Sequence, residues 1–289
     1  MAESGNPLEA FKQCLQQGKD MLGQQFENGV GAPVLIRARS WQIDEVLART
    51  WARFLGTDSG KAALVAVGGY GRSELMPGSD VDLLILLPDD ENNRFDAQIT
   101  DLLTFLWDIG LEVGHSVRTV QDCVEQSLAD VTVVTNLMEA RLLAGSAQLF
   151  RRMQESTAPA EIWNSRTFFE VKSAEQRARY KKFHDTAYNL EPNIKEGPGG
   201  LRDIQMIAWV ANRHFGTASL QQVIDHGFLT RKEYETLVGG RDLLWDIRFA
   251  LHVLTGGGED RLLFVYQRTL ASTFGFHNND KRLGVEAFM

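Results

Sequence analysis

Asp80 and Asp82 are the residues of this chain best suited by type and spacing to carry chemistry. They flank the start of a short apolar run, VDLLILL over residues 81–87, that is closed by Pro88 and reads as a buried strand. In a strand, residues i and i+2 project to one face, about 6.5–7 Å apart along the chain. Two carboxylates placed this way repel each other and are costly beside an apolar run unless a cation lies between them. A divalent metal meets that need. Magnesium takes carboxylate and phosphate oxygens and keeps water in its other positions. Metals held this way stabilise the attacking and the leaving oxygen of an in-line displacement at phosphorus. Alone, the same two residues fit a blander reading, with Asp80 capping a turn and Asp82 on a solvated face.

The element before them favours the metal. Residues 62–67 (AALVAV) form a second short apolar run, closed by Gly68-Gly69 and followed by Tyr70-Gly71-Arg72-Ser73. Glycine lets backbone approach an anion closely, and N–H groups at a helix start receive phosphate. A glycine pair, a gap of ten residues and an Asp-x-Asp in an apolar strand thus occur together. Around them, apolar spacing predicts helices over 8–27 and 40–55, with Gly29, Gly31 and Pro33 as the break between. A short helix is expected over 71–76, a helix over 92–109 and a third strand over 111–119. Helices follow over 121–143, 147–154, 166–189, 201–215, 218–224 and 230–254. The expected class is α+β, with a helical segment over 1–57, a small mixed-sheet core over 58–145 and an all-α domain over 146–289.

Bulk properties exclude other classes. A formal net charge of −8 argues against a general nucleic-acid binder. The hydrophobic share of 44% supports a globular core, but no run approaches the ~20 apolar residues that span a bilayer. Cys14 and Cys123 fall at no zinc or redox spacing, and the N-terminus lacks the pattern of a signal peptide. A cytoplasmic protein with reduced thiols is expected. The last residues, DKRLGVEAFM (280–289), read as helix with no stop signal, which suggests a truncated chain.

The glycine pair, the gap and the Asp-x-Asp resemble the polymerase-β nucleotidyltransferase superfamily. GGYGRSELMPGSDVDLLILL (68–87), LWDIGLEVGHSVRT (106–119) and NIKEGPGGLRDIQMIAWVANRHFG (193–216) are similar to the N-terminal part of the bacterial bifunctional uridylyltransferase/uridylyl-removing enzymes, over nearly the whole chain. The resemblance implies a polymerase-β-like core in which Asp80 and Asp82 hold Mg2+. It implies transfer of UMP from UTP to a tyrosine hydroxyl of the PII nitrogen-signalling protein, with pyrophosphate leaving. The family's hydrolase and glutamine-sensing domains lie downstream of the part matched here. Gly68, Gly69, Arg72, Ser73, Lys195 and Arg202 stand as nucleotide-binding candidates. The superfamily usually adds a third carboxylate from a later strand. Ser116 aligns with it and is not acidic; Glu112, on the same strand face, is the substitute candidate. Two other readings stay open: the related glutamine synthetase adenylyltransferase, which uses ATP, and a non-catalytic nucleotide sensor.

KEGPGGLRD (195–203) is a Pro/Gly turn feeding a helix. Arg202 in its first turn is a cation at the wrong end of the helix dipole. Glu196 or Asp203, or a nucleotide phosphate, is expected to compensate it. The preceding helix carries Lys172, Arg177, Arg179, Lys181 and Lys182, a candidate dock for a triphosphate or an acidic partner. His115 is the histidine nearest the Asp pair, and the other five show no metal-ligand spacing.

Overall fold

The computed structural model describes residues 6–89, 92–159, 161–186, 188–216, 220–279 and 282–289. The chain forms two compact units. The first comprises residues up to Leu75 and Ser79–Asn164; the second comprises Met76–Gly78 and Ser165–Met289.

The first unit opens with α1 (Pro7–Glu27) and α2 (Ala32–Leu55). Asn6 caps α1 by accepting the Leu8 N–H at 3.2 Å, and Pro7 suits its first turn. Helix α2 begins eight residues before the expected position 40, because extended Gly31 is its N-cap and Pro33 falls in its first turn. Its inner face, from Leu35 and Ile36 through Ile43, Leu47, Trp51 and Leu55, is buried, and Leu8, Phe11 and Leu15 of α1 pack on the same core. The helical segment drawn over 1–57 is therefore part of the sheet's core rather than a separate layer.

Strands β1 (Ala63–Ala66) and β2 (Val81–Leu87) form where the apolar runs predict them, and β3 (Val113–Thr119) begins two residues later than expected. A further strand, β4 (Arg141–Gly145), corrects the reading of 121–143 as one helix. That stretch divides into α5 (Val120–Ala129) and α6 (Val131–Met138) before the strand. Asp130 ends the first and caps the second, accepting the Thr132 N–H at 2.7 Å. The segment 141–145 then pairs with the open edge of β1. Gly145 is required there, since its φ is +92° and a Cβ would fall 2.2 Å from the Ala62 carbonyl oxygen. The sheet order is β3-β2-β1-β4; β1 runs antiparallel to both neighbours and β2 runs parallel to β3. This is the small mixed sheet expected of an α+β core.

Between β1 and β2 lies a one-turn helix, α3 (Gly68–Gly71), and between β2 and β3 lies α4 (Asp96–Asp108), preceded by a 3-10 turn over Asn92–Phe95. The turn α3 contains the glycine pair, whereas a helix was expected only from 71. Helix α4 buries Ile99, Leu102, Leu103 and Leu106 against one face of the sheet. The other face is covered by α5, α6 and α7 (Ala147–Ser156), whose Leu149 and Met153 join Val65, Leu84 and Leu86. Helix α7 was assigned by sequence to the domain starting at 146, yet it completes the first unit, which ends at Asn164.

The second unit is helical: α8 (Ser165–Lys181), α9 (Leu201–Phe215), α10 (Gln222–Asp225), α11 (Arg231–Thr255), α12 (Phe264–Thr273) and α13 (Gly284–Phe288). Helix α8 stops at Lys181 rather than 189, with His184 and Asp185 both at positive φ just beyond it. Helix α12 carries no sequence signal of comparable strength. The expected starts at 218 and 280 fall on residues outside those described; the described helices begin at Gln222 and Gly284.

Candidate active site

Strand β2 is buried along its length except at Asp82, whose side chain stands on an otherwise apolar strand. The neighbouring backbone explains how it is accommodated. Asp82 pairs with Gly114 across the parallel ladder, and a Cβ at Gly114 would sit 2.8 Å from Asp82 Oδ1. On the other side, a Cβ at Gly68 would lie 3.3 Å from Asp82 Oδ2. The carboxylate thus lies between two glycines, in a slot that a side chain at either position would narrow. The Val67 N–H, donating to the Asp82 carbonyl at 3.1 Å, ties β1 to β2 directly below the turn.

The same turn is anchored from several directions. The Tyr70 hydroxyl donates to Asp44 Oδ1 at 2.5 Å, and Arg141 forks onto Asp44 at 2.6 and 3.0 Å. Burial, with Asp44 beside it, pushes the Tyr70 hydroxyl well above its usual range, so it stays a protonated donor. The Leu75 N–H donates to Ser40 Oγ at 3.2 Å, and Ser40 donates to the Ile36 carbonyl at 2.8 Å. Gly71 lies flush against α6: a Cβ there would be 2.2 Å from the Glu139 carbonyl oxygen.

Arg72 extends away from the glycine pair to Glu74 at 2.7 Å and Glu139 at 2.5 Å. Although burial opposes its charge, the two carboxylates hold its pKa above the usual guanidinium range. Its geometry is that of a half-buried clamp between α3 and the end of α6. Ser73 follows at φ +60°, a strained conformation for a residue with a Cβ, and ends the turn.

The register resolves where a third carboxylate from β3 would lie. Gly114, not Ser116, is opposite Asp82; Ser116 is opposite Leu84, one pleat further on. Continuing the ladder backwards from Val81 and Val113 sets Glu112 beside Asp80, and the Val81 N–H donates to the Glu112 carbonyl at 2.8 Å. Asp80 and Glu112 line one cavity of about 620 Å³ with Trp107, Gly110, Leu111, Val113 and Gly114. Among the described residues, no group of three or more His, Cys, Asp or Glu side chains is gathered as a metal site. His115 points to the opposite sheet face from Asp82 by strand alternation, and its ring lies 6.0 Å from that of Trp107.

A residue that sequence reading missed also borders the slot. Asn136 Oδ1 on α6 lies 3.7 Å from the point where a Gly68 Cβ would be, the same point that Asp82 Oδ2 approaches at 3.3 Å. A ligand atom over Gly68 would contact both. No local signal marks Asn136, which the sequence places inside a long helix.

Lys195 and Arg202 belong to the second unit. Arg202 forks onto Glu196 at 2.9 and 3.1 Å, bonds Gln205 at 2.8 Å and lies over the Trp209 ring. Glu196 is therefore the local acid compensating the first-turn cation. Asp203 instead receives Arg179 at 2.5 Å, the Tyr180 hydroxyl at 2.5 Å and Gln176 at 2.9 Å. Burial opposes its charge, but these donors hold its carboxyl below the usual range. Of the five cations on α8, Lys172 is buried with Glu175 and over Trp209, and Arg179 is held by Asp203; Arg177, Lys181 and Lys182 remain exposed. Lys195 is 3.9 Å from Asp260, which also takes Arg248 at 2.6 Å and buried His252 at 3.3 Å. No helix among the described residues is long and apolar enough to cross a membrane.

Comparison with known proteins finds two family profiles and a group of curated relatives. A family profile described as "Nucleotidyltransferase domain" matches residues 48–144, which include both glycines and both aspartates. A second, described as "GlnD PII-uridylyltransferase", matches residues 167–289. The whole chain is 48% identical to part of the bifunctional uridylyltransferase/uridylyl-removing enzyme of Pseudomonas fluorescens (strain SBW25) and of Pseudomonas aeruginosa (strain PAO1), and 47% identical to that of Ectopseudomonas mendocina (strain ymp). All of this chain and 32% of each relative are aligned, so the chain spans about a third of the length of the curated relatives it matches.

Proposed function

This chain belongs, over its full length, with the N-terminal part of the bifunctional uridylyltransferase/uridylyl-removing enzymes, and from that premise we propose that it transfers UMP from UTP to a tyrosine hydroxyl of a PII nitrogen-regulatory protein, releasing pyrophosphate. The observation that carries the reading is the slot at Asp82, an exposed carboxylate in a buried strand, flanked by Gly68 and Gly114. Two carboxylates with room for phosphate oxygens suit magnesium, which binds through one or two carboxylates plus substrate phosphates. Asp80 and Asp82 would hold it, and when bound it neutralises charge on the phosphates and on the departing pyrophosphate.

The chain's own residues do the rest. The α3 turn gives the phosphates a close approach over Gly68, with Asn136 at its side. The Tyr70–Asp44–Arg141 contacts and the Arg72 clamp hold that turn in place beside β2. The tyrosine oxygen bonds to the α-phosphorus as the bond to pyrophosphate breaks, and its proton is lost to a nearby base. On this reading the protein acts in the cytoplasm, within the control of nitrogen metabolism.

The test is transfer of label from α-labelled UTP to PII with magnesium. Asp82→Asn should abolish transfer while leaving the thermal melt within a few degrees of the parent. Label transfer from ATP to glutamine synthetase, with none from UTP to PII, would replace this reading by adenylyl transfer. Transfer retained by Asp82→Asn would sink the assignment of the site.

A further inference from the structure

We propose that His252 and the Gly257–Gly258 peptide form a seat for the loop between the glycine pair and the aspartate pair, and that this seat positions Asp80 for metal and triphosphate. His252 is then a positioning residue, acting through Gly78. The inference rests on the nucleotidyl-transfer reading above and deepens it. The loop leaves the first unit after Leu75, belongs to the second over Met76–Gly78 and returns at Ser79. In the second unit, α11 stops at Gly256, whose φ of +70° turns the chain and whose N–H donates to the His252 carbonyl at 2.9 Å. The next peptide lies against the loop. A Cβ at Gly78 would fall 2.4 Å from the Gly257 carbonyl carbon and 2.6 Å from the Gly258 nitrogen, and a Cβ at Gly258 would fall 2.6 Å from the Gly78 carbonyl oxygen. Backbones approach this closely only where both residues lack a side chain. Beside them, the Gly78 N–H donates to Nδ1 of buried His252 at 3.1 Å. That bond needs the Nδ1 lone pair, and Asp260, 3.3 Å from Nε2, selects the tautomer that leaves it free. Arg248, at 2.6 Å, orients Asp260 in turn.

Asp80 is the carboxylate this seat reaches. Asp82 is set by the ladders of β2, with Gly114 opposite it and its own carbonyl accepting the Val67 N–H at 3.1 Å. Asp80 stands before the strand, exposed, and only Ser79 separates it from Gly78. Two residues span at most about 7 Å, so a shift at Gly78 passes to Asp80 with little chain to absorb it. Ordinary contact begins near 3.4 Å. A methyl group at Gly258 therefore displaces the Gly78 carbonyl by about 0.8 Å, more than the ~0.5 Å that a binding constellation tolerates.

Two pairs of variants test the seat, with Kd for magnesium-UTP measured by calorimetry well below each variant's melt. Gly258→Ala should weaken Kd about tenfold, whereas Gly240→Ala in α11, with nothing within 4 Å of its Cβ, should leave it within about twofold of the parent. His252→Gln keeps a donor for Asp260 but offers Gly78 no acceptor; His252→Asn keeps the acceptor and gives up Asp260. His252→Gln should weaken Kd about fivefold and His252→Asn should restore it to within about twofold, with KM for PII unchanged in both. A residue that only stabilises the fold would lower the melts and leave every Kd at the parent's value. Equal Kd values in all four variants, or equal losses in His252→Gln and His252→Asn, would overturn the proposal. The His252 pair decides it should Gly258→Ala fail to fold. Manganese titration without nucleotide, followed by electron paramagnetic resonance, separates the seat from the function. If the parent moves no UMP to PII, the function proposed above fails, yet manganese affinity weakened by Gly258→Ala and not by Gly240→Ala still upholds the seat. Equal manganese affinities, or no manganese bound by the parent, refute it.

Discussion

Replacing Gly71 by alanine should destabilise the first unit although it adds a good helix former to a helix. The built Cβ lies 2.2 Å from the Glu139 carbonyl oxygen, 3.0 Å from its carbon and 3.1 Å from the Ala66 carbonyl oxygen, where ordinary contact begins near 3.4 Å. All three obstacles are backbone atoms, so no rotamer relieves them. The seam between α3 and α6 must open by about 1 Å, against the Arg72–Glu139 clamp. Overpacking of this kind costs about 1–3 kcal/mol, and alanine's helix propensity returns about 0.5–1 kcal/mol. The net expectation is a loss of about 1–2 kcal/mol. Gly23 in α1 is the control: nothing lies within 4 Å of its Cβ, so Gly23→Ala should stabilise by about 0.5–1 kcal/mol. Urea titrations of both variants, followed by tryptophan fluorescence, give the comparison. The displaced turn should also lower the rate of UMP transfer by about 10²-fold, the scale set by a 1 Å misplacement. A Gly71→Ala midpoint equal to the parent's, or two variants shifted in the same direction, would refute the close-approach argument.

Gly114→Ala places a Cβ 2.8 Å from Asp82 Oδ1, the movable end of a side chain, so the fold should survive within about 0.5 kcal/mol. Calorimetry should nevertheless show magnesium-UTP binding weakened about tenfold, because the carboxylate is displaced. Asn136→Ala should raise KM for UTP about fivefold, the loss of one hydrogen bond of about 1 kcal/mol, with an unchanged melt. Acid should destabilise the second unit in two steps. The Gly78 N–H donates to His252 Nδ1 at 3.1 Å, which requires that nitrogen unprotonated. Burial, with Arg248 and Lys195 nearby, holds the His252 pKa below its usual 6.5 despite Asp260. Its contribution is complete above pH 6.5 and is lost as pH falls below that value. Asp260 is buried, which opposes its charge, but His252, Arg248 and Lys195 bring its pKa down to about 2. Its contribution, at most about 2 kcal/mol, is present above pH 3.8 and is lost as pH falls toward 2. Denaturant midpoints between pH 8 and 3 check the first step, which should be absent in His252→Gln.

Much of the site was legible from local pattern. The runs 62–67 and 81–87 are apolar at every core position and bounded by Gly and Pro, so they read as buried strands and fold as such. Asp80 and Asp82 stand out because carboxylates are costly there, and the glycine pair stands out because its backbone is special. Helix spans followed wherever caps and periodicity agreed, as in α9 and α11. These signals depend on neighbours within about four residues, which a single sequence displays directly.

What only the tertiary structure decided depends on pairing between distant segments. Strand β4 shares its apolar pattern with a helix, and the free edge of β1 selected the strand. The parallel register set Gly114, rather than Ser116, beside Asp82, and a shift of one residue would have turned the opposite face to the site. Arg72 stands next to the glycine turn in sequence, but Glu139, 67 residues away, draws it into a clamp. Asn136 reaches Gly68 only because α6 packs against α3. Each of these rests on long-range contacts whose closure no local propensity encodes, so the chemistry was written in residue types while its geometry was settled by the packing of the fold.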